Sequence, residues 1–217
     1  MKTDSELQRD VLDELAFEPM VDHAHIGVAA KGGVVTLTGH VPNYAQKMAA
    51  ERAATRVKGV KAIAEEIEVR FASDPKTSDD EIAERILDVF RWDVTVPDDR
   101  LKVRVEHGWV TLSGDVEWNY QKKAAQAAAG RIGGVKGVSN GIEVRQAQPS
   151  PWDVRERIKA AIKRQSALDA SDIDVSVTGH TVKLSGEVHG WNERRVAEQA
   201  AWSAPGVTRV EDEIVFA

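Results

Sequence analysis

A phrase of eight residues, written three times, constrains this chain more than any other feature: VVTLTGHV at 34–41, WVTLSGDV at 109–116 and TVKLSGEV at 181–188. Its glycines, Gly39, Gly114 and Gly186, lie 75 and 72 residues apart. That period is too long for the common solenoid repeats. It divides the 217 residues into three small tandem domains, each near the lower size limit for burying its own core. The domains are expected over 3–71, 78–146 and 150–217, and close together because the linkers ASDPKT and QAQPS are short and hydrophilic.

Aligned on those glycines, 26–70 and 101–145 match without a gap, and the positions shared by all three copies are small or apolar. Upstream, Thr3, Ser78 and Ser150 are each followed three residues later by Glu6, Glu81 or Asp153, the pattern of a helix-starting capping box. Apolar residues then recur at i, i+4, i+8: Leu7, Val11, Leu15; Ile82, Ile86, Phe90; Val154, Ile158, Ile162. This predicts a first helix with one buried stripe. Two alternating segments follow, joined by Gly32-Gly33, His107-Gly108 or Gly179-His180, which reads as an antiparallel hairpin with the phrase as its second strand. A second helix is predicted over 46–57, 121–132 and 193–204, where rows such as Ala50, Ala53, Ala54 let it sit close to a sheet. Gly59, Gly134 and Gly206 read as its C-cap glycines, and a third strand closes each unit. The fold class is therefore α+β: three tandem αββαβ two-layer sandwiches, each a three-stranded sheet with two helices.

Composition removes several function classes. There is no cysteine, so no disulfide, thiolate metal site or thiol nucleophile is available. The net charge is -6, and no repeat is basic overall, which argues against bulk electrostatic capture of nucleic acid or of an anionic membrane and leaves a local basic face. The N-terminal stretch carries charges throughout, and no apolar run approaches the ~20 residues of a membrane span. A cytoplasmic location is the expectation, with a periplasmic one only if a leader has been trimmed.

The strand ending V-x-L-x-G-x-V, the alanine-rich helix, then G-V and a last strand around I-x-V resemble the BON domain, named for bacterial osmotically induced and nodulation proteins. The pattern occurs three times, and the resemblance covers nearly the whole chain. It implies the αββαβ sandwich and non-enzymatic roles: envelope maintenance, osmotic and general stress, binding of phospholipid membranes and, in one member, binding of potassium.

The residues themselves support no catalytic set. Gly39, Gly114 and Gly186 read as positions of positive φ or of close approach to the second helix, and no phosphate-loop pattern surrounds them. None of the six histidines recurs in all three copies, His23-x-His25 lacks a third metal ligand, and the pairs Asp98-Asp99 and Glu65-Glu66 read as solvated surface. No cofactor or metal is expected.

The junction between the second strand and second helix is more informative, because each copy places an aromatic beside basic residues there: Tyr44 and Lys47; Trp118, Tyr120, Lys122 and Lys123; Trp191, Arg194 and Arg195. That pairing suits an interfacial lipid contact or a protein hot spot. The alternative is that the aromatics pack over the sheet edge, with Asn119 and Asn192 as helix caps. Trp92, Trp109, Trp152 and Trp202 differ from their counterparts in sibling copies, so some of them are expected to fill seams between units. Three readings follow: a binding module for anionic phospholipid or a protein partner, with the middle unit the best candidate; a potassium sensor using main-chain oxygens; and an assembly protein, including a homo-oligomer.

Overall fold

The computed structural model describes residues 2–71, 78–145, 151–164 and 173–216. Each copy opens with the predicted first helix: α1 (Asp4–Phe17), α3 (Asp79–Trp92) and α5 (Pro151–Arg164). At the start of α1 the Thr3 amide donates to the Glu6 carboxylate at 2.8 Å and the Glu6 amide to Thr3 Oγ1 at 3.3 Å. The Ser78 amide likewise donates to Glu81 at 3.3 Å. The cap expected at Ser150, and both linkers, lie outside the described residues.

The hairpins are β1 (Ile26–Lys31) with β2 (Val34–Val41), β4 (Leu101–Glu106) with β5 (Trp109–Val116), and β8 (Ile173–Thr178) with β9 (Thr181–Val188). Their turns need positive φ: Gly32 and Gly33 take +60° and +85°, His107 and Gly108 +52° and +81°, and Gly179 +60°. The first helix ties down the turn in two copies. Asp4 accepts from the Gly32 amide at 2.8 Å, and Asp79, at the same position, accepts from the amides of Gly108 at 2.9 Å and His107 at 2.6 Å.

The second helices, α2 (Tyr44–Arg56), α4 (Asn119–Ala129) and α6 (Trp191–Trp202), each begin two residues before the predicted start. The last strands, β3 (Ala62–Val69), β6 (Gly137–Asn140) with β7 (Glu143–Val144), and β10 (Arg209–Phe216), run parallel to the phrase strand, which is therefore central in every sheet. The middle copy's strand is broken at Gly141, where the siblings carry Glu66 and Glu213; glycine in a strand brings no side chain to pack and weakens the ladder.

Two local expectations are corrected. Gly39 and Gly114 do take positive φ, +116° and +119°, but a Cβ there would overlap the carbonyl oxygen of His25 or Arg100, which lead into the first strand, rather than the second helix. Gly59, Gly134 and Gly206 are not the caps, which are Val57, Gly130 and Ser203; these three glycines sit in the turn beyond, at +103°, +94° and +83°.

Each unit has its own core, built from the helix-one stripe, the inward residues of the strands and the alanine row: Leu7, Val11, Leu15, Val35, Leu37 and Ala53 in the first unit. The cores also meet. Tyr44 of the first unit packs on the second core, Trp202 of the third packs on the second, and Trp191 of the third packs on the first, so every unit touches both others. Of the tryptophans assigned to seams, Trp202 takes that role, whereas Trp92 is 83% and Trp109 57% exposed; the Trp152 side chain lies outside the described residues.

Candidate functional site

The site begins with equivalent positions at the start of the second helices. Tyr44, Asn119 and Trp191 occupy one position, five residues beyond the phrase glycine. The Tyr44 ring lies against Gly130, the C-cap of α4, where an added Cβ would come within 3.2 Å of it, and burial pushes its phenol up in pKa. Asn119 is buried. The Trp191 ring meets that of Phe216 at 5.2 Å between centroids, tilted by 47°, and sits against the first unit's core. Neither Asn119 nor Asn192 is a helix cap, because both lie inside the first turn. Asn43 caps α2, accepting from the Gln46 amide at 2.9 Å, while Gln121 and Glu193 reach back to the amides of Trp118 at 2.9 Å and His189 at 2.7 Å.

Three residues on, the cations Lys47, Lys122 and Arg194 are also equivalent. Lys47 is 2.7 Å from the Glu65 carboxylate and donates to the Ile67 carbonyl at 2.7 Å. Arg194 is 2.6 Å from Asp212 and lies over the rings of Trp191 and Phe216. Both pairs tie the second helix to the last strand. In the middle unit the acid position is Asn140, whose amide donates to the Lys122 carbonyl at 3.0 Å and to Gln126 at 3.2 Å. All three side chains keep one scaffold task, accepting from the amide two residues on: Glu65 from Ile67 at 2.8 Å, Asn140 from Ile142 at 3.2 Å, Asp212 from Ile214 at 3.0 Å. Only the charge is lost, and Lys122 makes no ion pair among the described residues.

The middle junction is therefore the one that stays open. Tyr120 is 57% exposed, Lys123 is exposed, and Trp118 is partly exposed. Trp118 with Lys122 and Tyr120 with Lys123 are spaced i,i+4 and i,i+3, neighbours along a helix surface.

The third junction opens instead onto a cavity of about 830 Å³ where α2, α4 and α6 converge. Arg52, Arg56, Lys123, Arg194 and Arg195 line it, opposed by Glu198 and Asp212. Of the nine predicted contact residues, Lys123, Trp191, Arg194 and Arg195 meet here, whereas Tyr44 and Lys47 are taken up by seam and sheet. Arg52 and Arg56 were missed by the sequence reading. The signal was present at Arg52, which is Ala127 and Gln199 in the siblings, and at Asn140, which alone breaks an acidic position.

Elsewhere His25 and His40 pack ring to ring at 4.9 Å, and no group of three metal-ligating side chains occurs among the described residues. No helix among them is long and apolar enough to cross a membrane.

A family model described as the BON domain matches residues 3–70, 78–146 and 153–217. The chain is similar to "Osmotically-inducible protein Y" of Escherichia coli, with 32% identity over 140 residues, covering 58% of this chain and 67% of that protein. Among solved structures, CdsD, a structural protein of the type III secretion system of Chlamydia trachomatis, aligns over 96% of this chain and 91% of that one at 14% identity, with a TM-score of 0.27. A likeness at that level carries no argument.

Proposed function

The chain belongs to the BON domain family, carrying three copies of the domain, and on that premise we propose that it is a non-enzymatic binding protein of osmotic or general stress. The similarity to an osmotically inducible protein supports the stress setting. Its surface for anionic phospholipid is the start of α4, with Trp118 and Tyr120 at the interfacial level and Lys122 and Lys123 over the headgroups.

One observation carries this reading: Lys122 stands where Lys47 and Arg194 are held by carboxylates, and its own partner has become Asn140. A half-buried lysine with no carboxylate partner, one turn on from the partly exposed Trp118, can turn to a negative surface, at about 1 kcal/mol per basic residue. The net charge of -6 opposes adsorption of the protein as a whole, so the contact is a local one.

Co-sedimentation with phosphatidylglycerol-rich and with purely zwitterionic vesicles tests it. Binding to the anionic set is expected to fall about tenfold or more in Lys122→Glu and to weaken in Tyr120→Ala. Equal binding by wild type and both variants would move the surface elsewhere.

A further inference from the structure

We propose that the cavity where the three units meet binds a small free anion carrying at least two negative charges, of the phosphate or pyrophosphate class, through one cation from each unit. Two of the five cations on its wall are already committed. Arg56 is paired with Glu14 at 2.7 Å and Glu18 at 3.0 Å, and Arg194 with Asp212 at 2.6 Å. Arg52 of the first unit, Lys123 of the second and Arg195 of the third make no ion pair among the described residues, and Arg195 donates only to Asn192 at 2.9 Å. Against them stands Glu198, the one lining acid not already paired, so two positive charges are left over. Like charges gathered at a junction oppose its closure, and a dianion of matching charge removes that opposition.

The wall offers neutral donors as well. The α6 helix starts at the cavity with Gly190 as its N-cap, so no side chain accepts from its first amides, and this is the positive end of the helix dipole. Trp191 also lines the cavity, and its indole N–H, buried in this arrangement, has no acceptor among the described residues. None of the three free cations is required by the repeated scaffold. Arg52 is Ala127 and Gln199 in the siblings, and the position shared by Lys123 and Arg195 is Met48 in the first copy. At about 830 Å³ the cavity has room for a phosphate ester.

Because the walls come from three units, the site exists only when all three are docked, and an anion that fills it stabilises the docked arrangement by linkage. A phosphate group also heads every phospholipid, so the test separates free from membrane-borne phosphate. Isothermal titration of the full chain with sodium pyrophosphate, at constant ionic strength set with sodium chloride, is expected to give saturable one-site binding. Arg52→Gln, Lys123→Gln and Arg195→Gln, all at exposed side chains, are each expected to weaken it about tenfold or more with melting in its absence unchanged, while Lys122→Gln leaves it intact. No saturable binding, or one affinity across all variants, overturns the proposal. If pyrophosphate is silent while Arg52→Gln and Arg195→Gln abolish binding to phosphatidylglycerol vesicles, the cations serve a lipid surface and the proposal is likewise overturned. Pyrophosphate binding without any vesicle binding upholds the cavity and removes the lipid reading instead.

Discussion

Replacing Gly39 by alanine should cost the first unit far more than replacing Gly32, although both glycines have positive φ. At Gly32, φ is +60° and nothing lies within 4 Å of an added Cβ, so only the left-handed conformation is penalised, by about 1–2 kcal/mol. At Gly39, φ is +116°, a region that side chains avoid at a cost of about 1–3 kcal/mol, and the Cβ would overlap the His25 carbonyl oxygen. Relieving that overlap means moving the lead-in to β1, next to the Ile26–Gly39 register pair, for about 1–3 kcal/mol more. The expected loss is about 2–6 kcal/mol. Three units need not unfold together, so native-state hydrogen exchange of the Ala29 and Leu37 amides is the suitable assay. Exchange at least about thirtyfold faster is expected in Gly39→Ala, at 1.4 kcal/mol per tenfold. Equal effects of the two substitutions would refute the carbonyl contact as the reason for the thrice-written glycine.

Removing the Tyr44 ring should loosen the first seam rather than either core. A half-buried tyrosine ring contributes about 2 kcal/mol by area, so Tyr44→Ala is expected to raise the radius of gyration in X-ray scattering and lower protection of the Gly130 amide; unchanged values would contradict the seam. Asp79 is held below the ordinary aspartate pKa by the amides of Gly108 and then His107. A depressed folded pKa means that its contribution is present above the unfolded pKa and lost as pH falls through the folded one. Acidification from pH 5 to pH 2 is therefore expected to release the β4–β5 turn, and an Asp79 midpoint by NMR at or above the ordinary aspartate value would contradict this.

The element order was legible because each copy writes it with signals that act locally: the Thr3 and Glu6 cap, the helix-one stripe, the glycine turns and the alanine row. Threefold writing strengthened it, since a residue shared by Val35, Val110 and Val182 is there for the unit's own core. The path of the chain around Gly39 was less legible, because its close neighbour, the His25 carbonyl, is a main-chain atom with no residue signature. The strand order and the packing of the units depend on contacts distant in sequence, such as Tyr44 on Gly130 and Trp191 on the first core. Type and spacing single out nine junction residues as candidates, of which Tyr44 and Lys47 are taken up by seam and sheet. Type and spacing do not say which cation finds an acid, and that depends on Glu65, Asn140 and Asp212 eighteen residues further along.

That dependence gives the most direct test of the lipid surface. Asn140→Glu recreates in the middle unit the acid that holds Lys47 in the first, and Thr111→Glu adds the same charge at an exposed position of β5. With phosphatidylglycerol-rich vesicles, the wild type is expected to bind, Asn140→Glu to bind about fivefold or more weakly with its melting preserved, and Thr111→Glu to keep most of its binding. Wild-type protein that ignores these vesicles, or two variants that fall alike, would contradict the claim that an unpaired Lys122 makes the surface.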